Sequence, residues 1–427
     1  MKTTLFVAVL SLAVTGHSAT QWKATPKPNG ADRTFSLKQI HNEKFKGADP
    51  IDALLRVYER YATFIPDQVK AIIKAQPVLK ARYQSLDADD PSMVFAEALP
   101  APGADSEYVL PVGLGTPTQM LALNLDTGSS DFWVFSDETP KEGLQATRLY
   151  YPKSSNTSRL LPGQSWKVKY GDGSTASGTV YIDRAAIGPL GYDKQAVQIA
   201  TGISKEIARD GFISGVLGMA SSNANTVSPT KQLTFFDNIK DTLARPIFTA
   251  NLKKGLPGNY NFGYINQSEY TGDIAYTPID QTTPYWKIKL SGYQLGQDAY
   301  QTQEISGIVD TGTSLTMVPK NIVDDYYKKL PGSYFDEKSG NMMFPCELPL
   351  PDFVFGIGES YRGRVPGHYI TYARHTDKFC YGGLQSSDNL PFAVFGDILL
   401  KAQFVVFDRG NMTVGFANKE TVPPPTS

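Results

Sequence analysis

The chain is poor in the residues on which many hydrolases depend. Of its 427 residues only four are histidine and two are cysteine. His17 and His41 lie near the N-terminus. His368 and His375 remain in the body, are not in His-Glu-x-x-His spacing, and read as surface loop residues. No Gly-x-Ser-x-Gly elbow occurs. A serine triad or a zinc hydrolase is therefore hard to build. Charge is scarce as well. Lys, Arg, Asp and Glu make up 19%, and the formal net charge is −1, so no basic footprint argues for nucleic acid. After the first 19 residues nothing runs to about 18 apolar residues, the length a membrane span needs. The tail TVPPPTS has no hydrophobic end, which argues against a C-terminal lipid anchor.

What the chain has instead is 37 Gly, 29 Pro, 23 Tyr and 22 Phe, with 41% hydrophobic residues. That composition suits many short strands and turns rather than helix bundles. The length allows two or three domains with large cores. Residues 1–19 combine Lys2, the apolar run LFVAVLSLAV and small residues at Gly16, Ser18 and Ala19, and read as a secretory signal peptide. Residues 20–86 hold 12 Lys/Arg against 6 Asp/Glu. From residue 87 onward there are 28 against 36. A basic front joined to an acidic body suggests an electrostatic partnership within one chain. The front also has helical spacing over 51–61 and 66–79, and 87–106 reads as an exposed linker. The expected division is a signal peptide at 1–19 and a removable pro-segment at 20–90. Two lobes follow, at 91–275 and 276–427. Within the lobes, 233–243 and 321–330 are predicted helices.

Cys346 and Cys380 read, in a secreted chain, as one disulfide closing a loop of about 35 residues. The alternatives are a metal pair or a nucleophile. Two thiols make only half a zinc site, and no histidine flanks either at ligand spacing. Asn156, Asn266 and Asn411 begin acceptor triplets for N-glycosylation.

The chemistry left to this chain is that of paired carboxylates. In 121–134 (LALNLDTGSSDFWV) an alternating apolar strand ends in Asp126-Thr127-Gly128, followed by Ser129. The element recurs in 307–319 (GIVDTGTSLTMVP) as Asp310-Thr311-Gly312, followed by Thr313. A Gly-rich apolar motif follows each turn by about 90 residues, as GVLG at 215–218 and AVFGD at 393–397. Two halves with the same order of landmarks suggest two similar lobes. If the turns meet, two adjacent carboxylates cannot both ionise and share one proton. One is then a base that activates a water, and the other an acid that polarises a carbonyl oxygen. Ser129 and Thr313 are placed to donate to the outer carboxylate oxygens.

With the flap-like Tyr170-Gly171-Asp172-Gly173-Ser174 and the closing VVFDRGNMTVGFA at 405–417, these motifs make the chain resemble the zymogens of pepsin-type aspartic endopeptidases, among them the secreted fungal enzymes with a single disulfide. The resemblance spans 20–427. It implies an all-β, bilobal pepsin-like fold: two similar β-barrel-like lobes, pseudo-two-fold symmetry and a cleft between them. It implies Asp126 and Asp310 as the catalytic dyad, supported by Thr127, Ser129, Thr311 and Thr313. It puts Tyr170 on a flap bonded to the Trp133 indole, and gives Gly128, Gly171, Asp172, Gly312 and Thr313 to an extended peptide. Activity is expected at acidic pH on protein and peptide substrates, with large hydrophobic residues around the scissile bond. By the same resemblance Asp172 at the flap tip is expected to let Lys precede the cut. The basic pro-segment is expected to act as intramolecular inhibitor, with Arg60 as blocking cation and Arg56 and Lys80 as alternatives. Pepstatin-like compounds should inhibit. No cofactor and no metal is expected, and the protein should be a secreted monomer, with the vacuole as the other destination. One departure is Ser214, where many relatives carry Asp; a role in pH tuning at that position is in doubt. The competing reading is a catalytically silent binding or inhibitor protein on the same fold.

Overall fold

The computed structural model describes residues 108–423, apart from 146–147, 170–174, 189, 209–212 and 389. It also describes strands Phe35–Lys38 and Ile40–His41 and the helical residues Ala53, Leu54, Val57 and Tyr61. The fold is mainly β.

The first lobe is built on an eight-stranded sheet. Gln119–Asp126 pairs antiparallel with Tyr108–Leu114, and the alternation Leu121, Leu123, Leu125 is buried. Tyr108–Leu114 also meets Thr175–Ile187 through Gly113 and Leu114, which curls the sheet on itself. Gly215–Gly218 runs parallel to Gln119–Asp126 on one side and antiparallel to Phe132–Val134 on the other. The repeated Gly-rich motif is thus the strand inserted between the two strands that flank the Asp-Thr-Gly turn. The second lobe repeats this with Ala393–Phe395, parallel to Ile305–Val309 and antiparallel to Thr316–Val318.

Glycine closes both inserted strands because backbone crosses backbone there. A Cβ on Gly218 would sit 2.6 Å from Asp131 N, and one on Gly396 would sit 2.2 Å from Leu315 O. No side chain fits in either gap.

A six-stranded sheet joins the halves, in the order Phe35–Lys38, Leu256–Phe262, Ile247–Lys253, Gln403–Asp408, Thr413–Asn418, Thr271–Pro278. Aromatic packing closes over it: Phe248 stacks on Phe407 at 4.6 Å, and both meet Trp286 edge to face. Helices are few. Phe235–Ile239, extended by a 3-10 turn at Lys240–Thr242, falls within the first predicted stretch, and Lys320–Tyr327 overlaps the second, starting one residue before it. The second buries Ile322, Val323, Tyr326 and Tyr327 along one stripe. Cys346 and Cys380 form a disulfide that ties the end of strand Asn341–Pro345 to its antiparallel neighbour Phe379–Gly382.

The histidines differ in one respect from expectation. His375 is exposed, but His368 is half-buried on the short helix Gly367–Ile370, with Nε2 against the Val422 carbonyl at 2.8 Å. Its apolar flanks, Val365 to Gly367 and Tyr369, draw it inward.

Candidate active site

Each Asp-Thr-Gly turn folds around its own carboxylate. The Gly128 N–H donates to Asp126 Oδ1 at 2.9 Å and the Ser129 hydroxyl to Oδ2 at 2.5 Å. Two and three residues on, these are the donors an aspartate at a turn finds without tertiary help. The second turn repeats the pattern. Gly312 N–H donates to Asp310 Oδ1 at 2.8 Å, and Thr313 Oγ1 to Oδ2 at 2.5 Å. Both carboxylates are buried, at 3% and 0% exposure. Each carboxylate is thus met by two donors from its own turn.

The lobes meet through the threonines. Thr127 N–H donates to Thr311 Oγ1 at 3.1 Å, and Thr311 N–H to Thr127 Oγ1 at 2.9 Å. Each hydroxyl then donates onward to the opposite strand, Thr127 to Val309 O at 2.9 Å and Thr311 to Leu125 O at 2.7 Å. Each threonine's N–H and hydroxyl is bonded across the boundary, which fixes the two turns relative to each other. Gly128 lets them close up: a Cβ there would lie 2.5 Å from Asp310 Oδ1. The carboxylates of the two lobes thereby share one buried site.

A residue from far upstream occupies the same site. Tyr61 Oη donates to Asp310 Oδ2 at 2.7 Å, and a Cβ on Gly128 would lie 2.4 Å from it. The Tyr61 ring is 5% exposed and packs on Tyr285 at 5.7 Å and Phe392 at 5.4 Å. The expected blocking cation, Arg60, lies outside the described residues, as do its alternatives Arg56 and Lys80. The signal for Tyr61 is spacing. Leu54, Val57 and Tyr61 stand at i, i+3 and i+7, all three are buried, and the tyrosine adds a polar tip to that apolar face.

The structure brings together Asp126, Thr127, Gly128, Ser129, Asp310, Thr311, Gly312 and Thr313. Strands Arg159–Lys169 and Thr175–Ile187 pair up to Lys169 opposite Thr175. Tyr170, Gly171 and Asp172 lie outside the described residues. Trp133 is 1% exposed and stacks on Trp166 at 6.1 Å. Ser214 is buried and takes part in backbone bonding, its N–H donating to Ala122 O at 2.7 Å. Asn156 and Asn411 are exposed. Asn266 is half-buried, with Nδ2 donating to Glu269 Oε1 at 2.9 Å. Among the described residues no group of His, Cys, Asp and Glu could hold a metal ion, and no helix is long and apolar enough to cross a membrane.

Comparison with known proteins agrees with this geometry. The profile of the family described as eukaryotic aspartyl protease matches residues 107–419. Podosporapepsin of Podospora anserina is 43% identical over 389 residues, 90% of this chain and 91% of the relative. Endothiapepsin of Cryphonectria parasitica is 38% identical over 426 residues, 98% of this chain and 99% of the relative. The crystal structure of an aspartic proteinase from Irpex lacteus superposes with a TM-score of 0.62 at 25% identity, covering 75% of this chain and 97% of that one. The chain belongs to the eukaryotic aspartyl protease family and is an aspartic-type endopeptidase.

Proposed function

We propose that Asp126 and Asp310 are the dyad of an acid endopeptidase, held inactive by its own N-terminal segment until that segment is removed. The observation that carries the reading is the matched pair of buried carboxylates, each held by a glycine N–H and a hydroxyl, on turns locked together by Thr127 and Thr311.

Aspartic-protease dyads are the standard case of two like charges, about 3 Å apart, that cannot both ionise. Through the acidic range the pair holds one proton and titrates as a unit. The ionised aspartate takes a proton from water as its oxygen attacks the scissile carbonyl carbon. The protonated aspartate gives its proton to the carbonyl oxygen. The resulting gem-diol collapses when one hydroxyl returns a proton to the dyad and the amide nitrogen takes a proton from it, breaking the C–N bond. Neither step needs a metal or a covalent intermediate. At neutral pH the shared proton is lost, and with it the acid.

Residues 1–19 act as secretory leader and 20–90 as pro-segment in this reading, and the mature enzyme is a secreted monomer. The Tyr61 contact with Asp310 supports inhibition in cis, because it engages an oxygen of the carboxylate that the reaction needs. Acid weakens the attraction of the basic segment by protonating body carboxylates, and the cleft opens. Large hydrophobic residues are preferred around the cut. The aromatic pair Tyr285 and Phe392, which receives the Tyr61 ring, supports that preference. Asp172 on the flap lets Lys precede the cut, and Tyr170 closes over the substrate.

The test is casein hydrolysis against pH by the processed protein, with and without pepstatin, beside Asp126→Asn. Acid-peaked activity abolished by both treatments is expected. No activity after confirmed loss of the pro-segment would leave a silent binding protein on the same fold. Exchange of Asp172 for Ser should remove cleavage after Lys and spare cleavage after Phe.

A further inference from the structure

Trp286 lies in the connection 279–286, between the inter-lobe strand Thr271–Pro278 and the first strand of the second lobe, Lys287–Leu290. It is 1% exposed and carries no titratable group. It nonetheless links the two aspartates, bonding directly to the strand that leads into Asp310 and, through Met219, to Asp126. Its indole Nε1–H donates to Met219 O at 2.9 Å, and Met219 N–H donates to Asp126 O at 2.8 Å. On the other side its backbone carbonyl accepts from Val309 N–H at 3.0 Å, one residue before Asp310. Two residues earlier, Pro284 O accepts from Ser221 N–H at 2.9 Å.

The ring itself is clamped. The Arg409 guanidinium lies 4.3 Å from the ring centre, and Phe248 and Phe407 stand edge to face against it. Arg409 faces Asp237 Oδ1 at 3.6 Å, both side chains being mostly buried. Asp237 Oδ2 accepts from Ser222 N–H at 3.1 Å and from Ser222 Oγ at 2.5 Å. The chain of contacts thus returns to the loop that starts at Met219. A buried ring gripped on several sides leaves its N–H one direction in which to point.

We propose that Trp286 is a positioning residue for the dyad: its indole N–H and its carbonyl set the separation of Asp126 and Asp310. The threonine lattice fixes the turns at their tips, and Trp286 fixes the strands behind them. This rests on the dyad reading, since only a reaction that needs both carboxylates responds to their spacing. Coupling between two carboxylates depends steeply on separation, so a small displacement changes how the pair shares its proton.

The experiment uses the processed enzyme carrying Trp286→Phe, and a second form with benzothienylalanine at 286, which keeps the bicyclic ring and deletes the N–H. Asp126→Asn is the control for the dyad itself. For the two 286 forms a fall of about tenfold in kcat is expected, with KM within about twofold. The two limbs of the kcat–pH profile should also move relative to each other. A purely structural tryptophan would lower the melting temperature and leave kcat and the profile superimposable with the parent, and that result overturns the proposal. If Trp286→Phe does not fold, the benzothienylalanine form decides. Full activity of Asp126→Asn would instead overturn the dyad reading, whatever the 286 forms do.

Discussion

Tyr61 and Asp310 are 249 residues apart in sequence and joined by a 2.7 Å hydrogen bond in the cleft. The same Asp310 oxygen, Oδ2, also accepts from Thr313 at 2.5 Å. Tyr61→Phe keeps the packing on Tyr285 and Phe392 and removes only the donor. If the N-terminal segment is a pro-segment, its removal at fixed acidic pH should then speed up by about 10- to 150-fold, the worth of one hydrogen bond to a charged group at about 1.5–3 kcal/mol. Electrophoresis of timed samples gives the rate, and an unchanged rate would show that the hydroxyl contributes nothing to latency.

Thr127 and Thr311 each donate and accept across the lobe boundary. Replacing either by Val keeps the shape and strands an N–H and a carbonyl in a dry interface. Each change should cost about 1–3 kcal/mol. Because both remove the same lattice, the double variant should cost clearly less than the sum. Denaturant unfolding measures all three, and additive losses would mean that the two residues act separately.

Asp131 is a buried carboxyl five residues after Asp126. Its Oδ1 accepts from Gln198 Nε2, Asn225 Nδ2 and Thr226 N–H at 2.9–3.0 Å. Desolvation outweighs these donors and raises its pKa above the ordinary 3.8. For a carboxyl raised on folding, the stabilising contribution is complete below the unfolded pKa and is lost as pH rises through the folded one. The wild-type chain therefore loses stability toward neutral pH through this group. Asp131→Asn cannot ionise, so it should gain on the parent at about pH 6–7 and show no such gain below about pH 4. Melting temperatures across pH test this, and a constant difference at every pH would remove Asp131 as the source.

Cys346 and Cys380 close a loop with a sequence separation of 34. In the chain-entropy account a loop of this length stabilises by about 3–4 kcal/mol. The Cys346→Ala/Cys380→Ala form should lose roughly that much in denaturant unfolding. The disulfide ties strands of the four-stranded sheet, not the five-stranded sheet that leads into Asp310, so kcat of the folded form should not change.

The sequence by itself determined the two turns. Asp126 bonds to Gly128 and Ser129, and Asp310 to Gly312 and Thr313, two and three residues away. Such bonds follow from backbone geometry and residue type, so the pattern Asp-Thr-Gly-Ser/Thr already specifies them. The repeated Gly-rich strand was legible for a similar reason, since the glycine is demanded by local crowding at a crossing. Only the tertiary structure decided what spans the lobes. The reciprocal bonds of Thr127 and Thr311, the reach of Tyr61 to Asp310, and the link of Trp286 to Met219 and Val309 each join distant segments. Their partners are chosen by how two packed lobes meet around one core, and residue order carries no short-range signal for that. His368 shows the same limit on a small scale: in sequence it is a lone polar residue, and the apolar neighbours that half-bury it act only once the helix Gly367–Ile370 has docked.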